Sequence, residues 1–151
     1  MPPAPERLTL PARIESVRPF CEFARSVASG ANFSAEELDR LDLLIEEIVV
    51  NIARYAYDRP ETGEAELACA VVGPGRLSLE IADSGRAFNP LQRNPPDLSQ
   101  GLADRIPGGL GIFLVQNIAE SLAYRREGER NMLSFYFCAG ATTGAPRSFN
   151  Q

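Results

Sequence analysis

The chain has 151 residues, 15 basic against 20 acidic, for a formal charge of −5, and 44% of them are hydrophobic. Every basic residue is an arginine, and lysine, histidine and tryptophan are absent. Chemistry that needs an imidazole or a titratable amine is therefore excluded: no Ser-His-Asp triad, no His-ligated zinc, no Walker A or Schiff-base lysine, and no histidine phosphoacceptor.

The length fits one compact domain, residues 1–151, with loose tails at 1–5 and 140–151. Phosphate neutralisation needs a clustered basic surface, and only Arg125, Arg126 and Arg130 cluster, so no nucleic-acid partner is expected. No signal-peptide core or run of about 18 apolar residues occurs, which predicts a soluble cytoplasmic protein with no membrane contact. Cys21, Cys69 and Cys138 lie far apart without a CxxC pairing and read as small apolar core residues.

In chain order, Leu8-Thr9-Leu10 alternates like a short edge strand, and Ala12 to Ser29 carries apolar residues at helical spacing, with Pro19 marking a kink or a later helix start. Ser34 followed by Glu37 is a capping box. The periodic run Leu38, Leu41, Leu44, Ile45, Ile48, Ile52, Tyr55 then predicts a long amphipathic helix to about Asp58, with Ile45, Val49 and Val50 read as core rather than as a dimer surface. Ala65 to Val72 and Leu77 to Asp83, joined by Gly73-Pro74-Gly75, predict a hairpin. Phe88 to Gly109 is rich in Pro and Gly and reads as a lid or an insert. A helix over Gly111 to Leu122 and a second hairpin, Ala123 to Arg126 with Met132 to Cys138, complete the order. Together these predict an α+β two-layer sandwich, a mainly antiparallel sheet with helices on one face.

Three polar signals interrupt the apolar pattern. Glu47 and Asn51 are four residues apart on the long helix, roughly 40° from each other, beside the buried stripe. A carboxylate and an amide there suit an oxygen ligand for Mg²⁺ and a base for a substrate hydroxyl, and equally suit a solvated helix face. In Asp83-Ser84-Gly85 an apolar strand ends in a carboxylate followed by a glycine. That arrangement can accept from an exocyclic amine such as adenine's while the glycine admits a flat ligand, or it can simply close an Asx turn. Gly108-Gly109-Leu110-Gly111 runs straight into a helix, whose unpaired N–H groups suit phosphate, although glycines before a helix are also an ordinary loop.

Glu47-x-x-x-Asn51, Asp83-x-Gly85 and Gly109-x-Gly111, with a lid between the last two, resemble the N, G1 and G2 boxes of the GHKL ATPase superfamily, over roughly Leu8 to Phe137. Phe88-Asn89-Pro90, Gly109-Leu110-Gly111-Ile112 and Asn131-Met132-Leu133 are most similar to its stand-alone bacterial anti-sigma-factor serine/threonine kinases. The resemblance implies the Bergerat ATP-binding fold, ATP and Mg²⁺ as cofactors, a small anti-anti-sigma (antagonist) protein as phosphoacceptor, a sigma factor as alternate partner, and a homodimer. Carried over by position, Asn51 would coordinate Mg²⁺, Glu47 would be the catalytic base, and Asp83 would recognise adenine. Gly85, Gly109 and Gly111 would let backbone approach the nucleotide, and Arg105 in the lid would supplement the charge on the phosphates, against its ordinary reading as a solvated loop arginine. Tyr55 stands where many relatives have histidine, Ala87 where a second G1 glycine often sits, and Glu120 where aspartate is common. A nucleotide-gated adaptor that sequesters a partner without phosphoryl transfer is the alternative.

Overall fold

A computed structural model describes residues 3–59, 63–92 and 109–140. The elements are β1 (Glu6–Pro11), a 3-10 turn (Ile14–Ser16), α1 (Val17–Ala28), α2 (Ala35–Tyr55), β2 (Glu64–Gly73), β3 (Arg76–Asp83), a 3-10 turn (Pro90–Gln92), α3 (Gly109–Ile118), β4 (Glu120–Glu127) and β5 (Arg130–Cys138). All strand pairs are antiparallel, in the order β1-β2-β3-β5-β4.

Local signals account for most of these elements. Ser34 Oγ accepts from the Glu37 N–H at 3.1 Å, and Glu37 Oε1 accepts from the Ser34 N–H at 2.8 Å, closing the capping box of α2. The other Glu37 oxygen accepts from the Gly140 N–H, which fastens the start of α2 to the end of β5. The Ser34 amide, then that of Gly140, hold this carboxyl below its usual range. Pro19 sits in the first turn of α1, where its missing N–H has no intrahelical partner to lose, so the helix starts late and is not kinked. Gly75, at φ +60°, takes the left-handed corner of the Pro74-Gly75 turn that joins β2 and β3.

One face of the sheet is the core. Leu67 and Cys69 of β2, Leu77, Leu79 and Ile81 of β3, and Leu133, Phe135 and Phe137 of β5 pack with the buried stripes of α1 and α2 and with Val115 and Ile118 of α3. Ile45 and Val49 lie inside that core at 0% and 1% exposure, so neither forms a free surface, whereas Val50 is half-buried and outside it, against the core reading of all three. Arg25 of α1 pairs with Asp39 and Asp42 of α2 at 2.8 Å each, locking the two helices side by side. The opposite face is polar: Glu66 pairs with Arg7 and Arg130, Glu80 pairs with Arg125, and the Arg76 guanidinium lies 4.3 Å from the centre of the Tyr136 ring.

Several boundaries differ from the sequence reading: α1 starts at Val17 rather than Ala12, α2 ends at Tyr55 rather than about Asp58, β5 begins at Arg130 rather than Met132, and the junction of α3 with β4 is displaced. The third helix spans Gly109–Ile118 rather than Gly111 to Leu122, and β4 begins at Glu120 rather than at Ala123. Ile118, Ala119 and Leu122 are all buried at what looks like helical spacing, but Leu122 reaches the core from a bulged strand. Ser121, at φ +56°, turns the chain there. Of the expected lid, residues 93–108 lie outside the described residues, as do 141–151 of the C-terminal tail.

Ser121 is exposed and lies in a backbone region that costs a side chain roughly 1 to 2 kcal/mol, against about 0.5 to 1 kcal/mol of extra unfolded-state entropy for glycine. Ser121→Gly should therefore raise stability, by up to about 1.5 kcal/mol, and the β-branched Ser121→Val should lower it. Urea unfolding midpoints at constant m-value check both.

Candidate functional site

Strand register sets the site. Because side chains alternate, the inward positions that carry Leu77, Leu79 and Ile81 on β3 and Leu133, Phe135 and Phe137 on β5 extend by one step to Asp83 and Asn131, which face each other in register. A row crosses the sheet as Leu10, Ala65, Asp83, Asn131 and Arg126. Its polar half is closed by hydrogen bonds. Asn131 Nδ2 donates to Asp83 Oδ1 at 2.9 Å, and Arg126 Nη1 donates to Asn131 Oδ1 at 3.0 Å.

Helix α2 lies over this end of the sheet. Its last carbonyls are capped from the segment after β3: the Arg86 N–H donates to Ala56 O at 2.9 Å, and Arg86 Nε donates to Tyr55 O at 2.7 Å. Tyr57 adds a second tie, its hydroxyl donating to Glu64 O at 2.6 Å and accepting from the Ser84 N–H at 2.7 Å. Burial pushes this phenol up from its ordinary range. The fastening leaves no room for a side chain at residue 85, since a Cβ on Gly85 would stand 2.2 Å from Ala56 O. The glycine is thus required by its packing against the helix end.

Between helix and sheet lies a cleft that opens to solvent. Ile48, Ile52, Ile81 and Leu133 give it apolar walls; Asn51, Asp83 and Asn131 supply polar groups; Phe88, 37% exposed, stands at its edge. Apolar walls with a few convergent polar atoms suit a flat ligand with hydrogen-bonding edges. Asp83 Oδ1 accepts from the Gly85 N–H at 2.9 Å as well as from Asn131, so the Asx-type turn expected of Asp-x-Gly exists and coexists with a place in the cleft. Asn51 Nδ2 is buried without a hydrogen-bond partner among the described residues, and a buried amide donor left unpaired costs about 1 to 3 kcal/mol until a ligand satisfies it.

The structure therefore brings Asn51 and Asp83 to one cleft. Glu47, one helical turn before Asn51, is half-buried and is not among the lining residues. Burial, then the neighbouring Glu46, push its carboxyl up, and Arg54 opposes them. Gly109 and Gly111 fall in the first turn of α3, so the helix opens on the glycine pair. Arg105 lies outside the described residues. Among those residues no group of three His, Cys, Asp or Glu side chains is placed to hold a metal. The orphaned Asn51 Nδ2 is a donor and suits a phosphate oxygen, while the Oδ1 of the same amide is the atom that would serve a hard cation carried mostly by phosphate and water oxygens. Sequence reasoning gave no role to Asn131, Tyr57 or Arg86. For Asn131 a signal existed, a polar residue at an inward position of the alternating strand Asn131-x-Leu133-x-Phe135-x-Phe137.

Comparison with known proteins gives the same direction. The family described as histidine kinase-like ATPase domain matches residues 10–137. The serine-protein kinase RsbW of Listeria monocytogenes is 27% identical over 134 residues, 85% of either chain. The serine/threonine-protein kinase BtrW of Bordetella bronchiseptica is 31% identical over 108 residues, 72% of this chain and 75% of its own. Among solved structures, the RsbU and RsbW domains of a Mycobacterium tuberculosis protein match with a TM-score of 0.59 at 16% identity, over 91% of this chain and 33% of that one, a likeness of fold.

The contact at Gly85 yields a direct test. Gly85→Ala must displace the Ala56 carbonyl or the turn itself, and should cost about 1 to 3 kcal/mol in thermal or urea unfolding.

Proposed function

The chain belongs to the histidine kinase-like ATPase domain family, and from that premise we propose that it is a Mg-ATP-dependent protein serine/threonine kinase of the anti-sigma type. Its acceptor is a Ser or Thr of a small antagonist protein, and a sigma factor is its alternate partner. The observation that carries this reading is the convergence of the Asn51 amide and the Asp83 carboxylate on one apolar-walled cleft, with Glu47 a turn away on the same helix.

In this reading the base of ATP lies between the apolar walls and its amine donates to Asp83 Oδ2, the carboxylate oxygen that no described donor takes. The phosphates extend along α2 past Asn51 toward the opening turn of α3, where Gly109 and Gly111 leave amide N–H groups unencumbered. Mg²⁺, when bound, neutralises phosphate charge and steadies the leaving diphosphate. Asn51 Nδ2 would donate to a phosphate oxygen, and its Oδ1 would hold the cation. Glu47 takes the proton of the acceptor hydroxyl as its oxygen bonds to the γ-phosphorus and the bond to ADP breaks. A carboxyl pushed up by burial is a better base than an exposed glutamate. Arg105 is placed at the phosphates by the resemblance alone, as is the homodimer. Among the described residues no helix is long and apolar enough to cross a membrane, and we place the kinase in the cytoplasm.

The deciding experiment incubates the protein with Mg-ATP and a candidate antagonist and looks for a mass increase of one phosphoryl group on a Ser or Thr. No increase, with ATP-dependent co-elution of the two proteins, would instead make the chain a nucleotide-gated adaptor.

Glu47→Gln should retain ATP binding and slow transfer by about a hundredfold to ten-thousandfold. Transfer by the unmodified protein should rise as pH climbs through the Glu47 titration, because only the deprotonated form is a base. That rise should fall above the ordinary glutamate value of about 4.3 and vanish in Glu47→Gln. Asn51→Ala should weaken Mg-ATP binding itself. Asp83→Asn should cost about 1.5 to 3 kcal/mol of ATP affinity by calorimetry, and unchanged affinity would remove Asp83 from adenine recognition.

A further inference from the structure

Asn131 is 6% exposed and uses all of its amide inside the fold. Nδ2 donates to Asp83 Oδ1 at 2.9 Å and to Arg86 O at 2.8 Å. Oδ1 accepts from Tyr124 Oη at 2.6 Å, Arg126 Nη1 at 3.0 Å and the Phe88 N–H at 3.4 Å. Carboxylate and carbonyl oxygens only accept, whereas the guanidinium and the backbone N–H only donate, so the amide has one self-consistent orientation. Turned over, it would set oxygen against two oxygens and nitrogen against two donors.

This fixed amide acts on both sides of the cleft. Toward β3 it gives Asp83 Oδ1 its second donor, after the Gly85 N–H, so Oδ1 is saturated within the protein and Oδ2 is left to a ligand. Toward the segment after β3 it holds the carbonyl of Arg86 and the N–H of Phe88, two residues that line the cleft. The acceptor that reads the edge of the base and the wall beside it are thus located by one side chain, itself braced by Tyr124 and Arg126 of β4.

We propose that Asn131 is the positioning residue for base selection. By engaging Oδ1 of Asp83 and pinning the 86–88 wall, it presents Oδ2 as a fixed acceptor and so favours a purine carrying an amine over one carrying a carbonyl at the same place. The proposal rests on the nucleotide reading above. It assigns Asn131 no contact with the reacting phosphates; its effect passes through Asp83.

The test compares ATP with ITP, which differ by amine against carbonyl on the base, in calorimetric titrations of the full chain with Mg²⁺. The unmodified protein should bind ATP more tightly than ITP by about tenfold or more, the range of one hydrogen bond to a charged group. Asn131→Asp keeps the shape and the oxygen facing Tyr124, Arg126 and Phe88, but turns a second oxygen on Asp83 Oδ1 and Arg86 O. It should reduce the ATP/ITP ratio to within about threefold, raising KM for ATP while leaving kcat at saturation within about twofold. Asn131→Ser, too short to bridge to Asp83, carries the same expectation should Asn131→Asp fail to melt cooperatively. A generally loosened fold would weaken both nucleotides alike and leave their ratio unchanged. A folded variant that keeps the unmodified protein's ratio overturns the role of Asn131 and leaves the nucleotide site standing. An unmodified protein that binds neither nucleotide overturns the nucleotide reading and this inference with it.

Discussion

The hydrogen bond between Asn131 and Asp83 is the contact on which the rest of the site depends. It exists because β3 and β5 pair in a register that sets these residues opposite each other at the end of two apolar stripes. A slip of one residue would turn one strand's stripe, and its polar residue, to the outer face of the sheet and part Asp83 from Asn131. The core and the site are therefore specified together: burial of Leu79, Ile81, Leu133 and Phe135 fixes the register, and the register delivers the polar pair to the cleft. Helix α2 completes the arrangement from above, since the same helix that fills the core with Leu44, Ile48 and Ile52 carries Asn51 along its margin.

The arginines show how a chain without lysine secures such a frame. Several act through the fork geometry of the guanidinium, which can serve two acceptors in one plane. Arg25 spans Asp39 and Asp42 through Nε and Nη2, and Arg126 reaches Gly85 O and Asn131 Oδ1 through Nη1. Arg86 caps a helix carbonyl. On the outer face, pairs such as Arg7–Glu66 and Arg125–Glu80 are solvent-screened and contribute about 0 to 1 kcal/mol each, so they shape the surface more than they stabilise it.

What could be read from the sequence was local. The capping box of Ser34 and Glu37, the Pro74-Gly75 corner, the apolar alternation of β3 and β5 and the late start of α1, two residues before Pro19, are decided within a few residues, and the structure has each of them. Asn51 and Asp83 were legible for a related reason, being polar residues at the edge of periodic apolar runs. What escaped was non-local. The bond from Asn131 to Asp83 spans 48 residues, and the Gly85 contact with Ala56 depends on where a helix happens to end. The boundary between α3 and β4 misled because Leu122 satisfies a helical spacing while being buried by a bulge.

The cysteines carry a practical consequence of the layered core. Cys21 on α1 and Cys69 on β2 are buried, with thiols pushed up to about 12 chiefly by burial, while Cys138 at the end of β5 is half-buried. Alkylating reagents attack thiolates, so in the folded protein two of the three sulfurs are silent at neutral pH. Cys21 Sγ donates to Asp42 O at 3.7 Å across the contact of α1 with α2, whereas Cys69 lies on the sheet beneath the helices. The native chain thus holds two unengineered labels, one for each layer, and the order in which they become modified under partial denaturation reports which layer comes apart first.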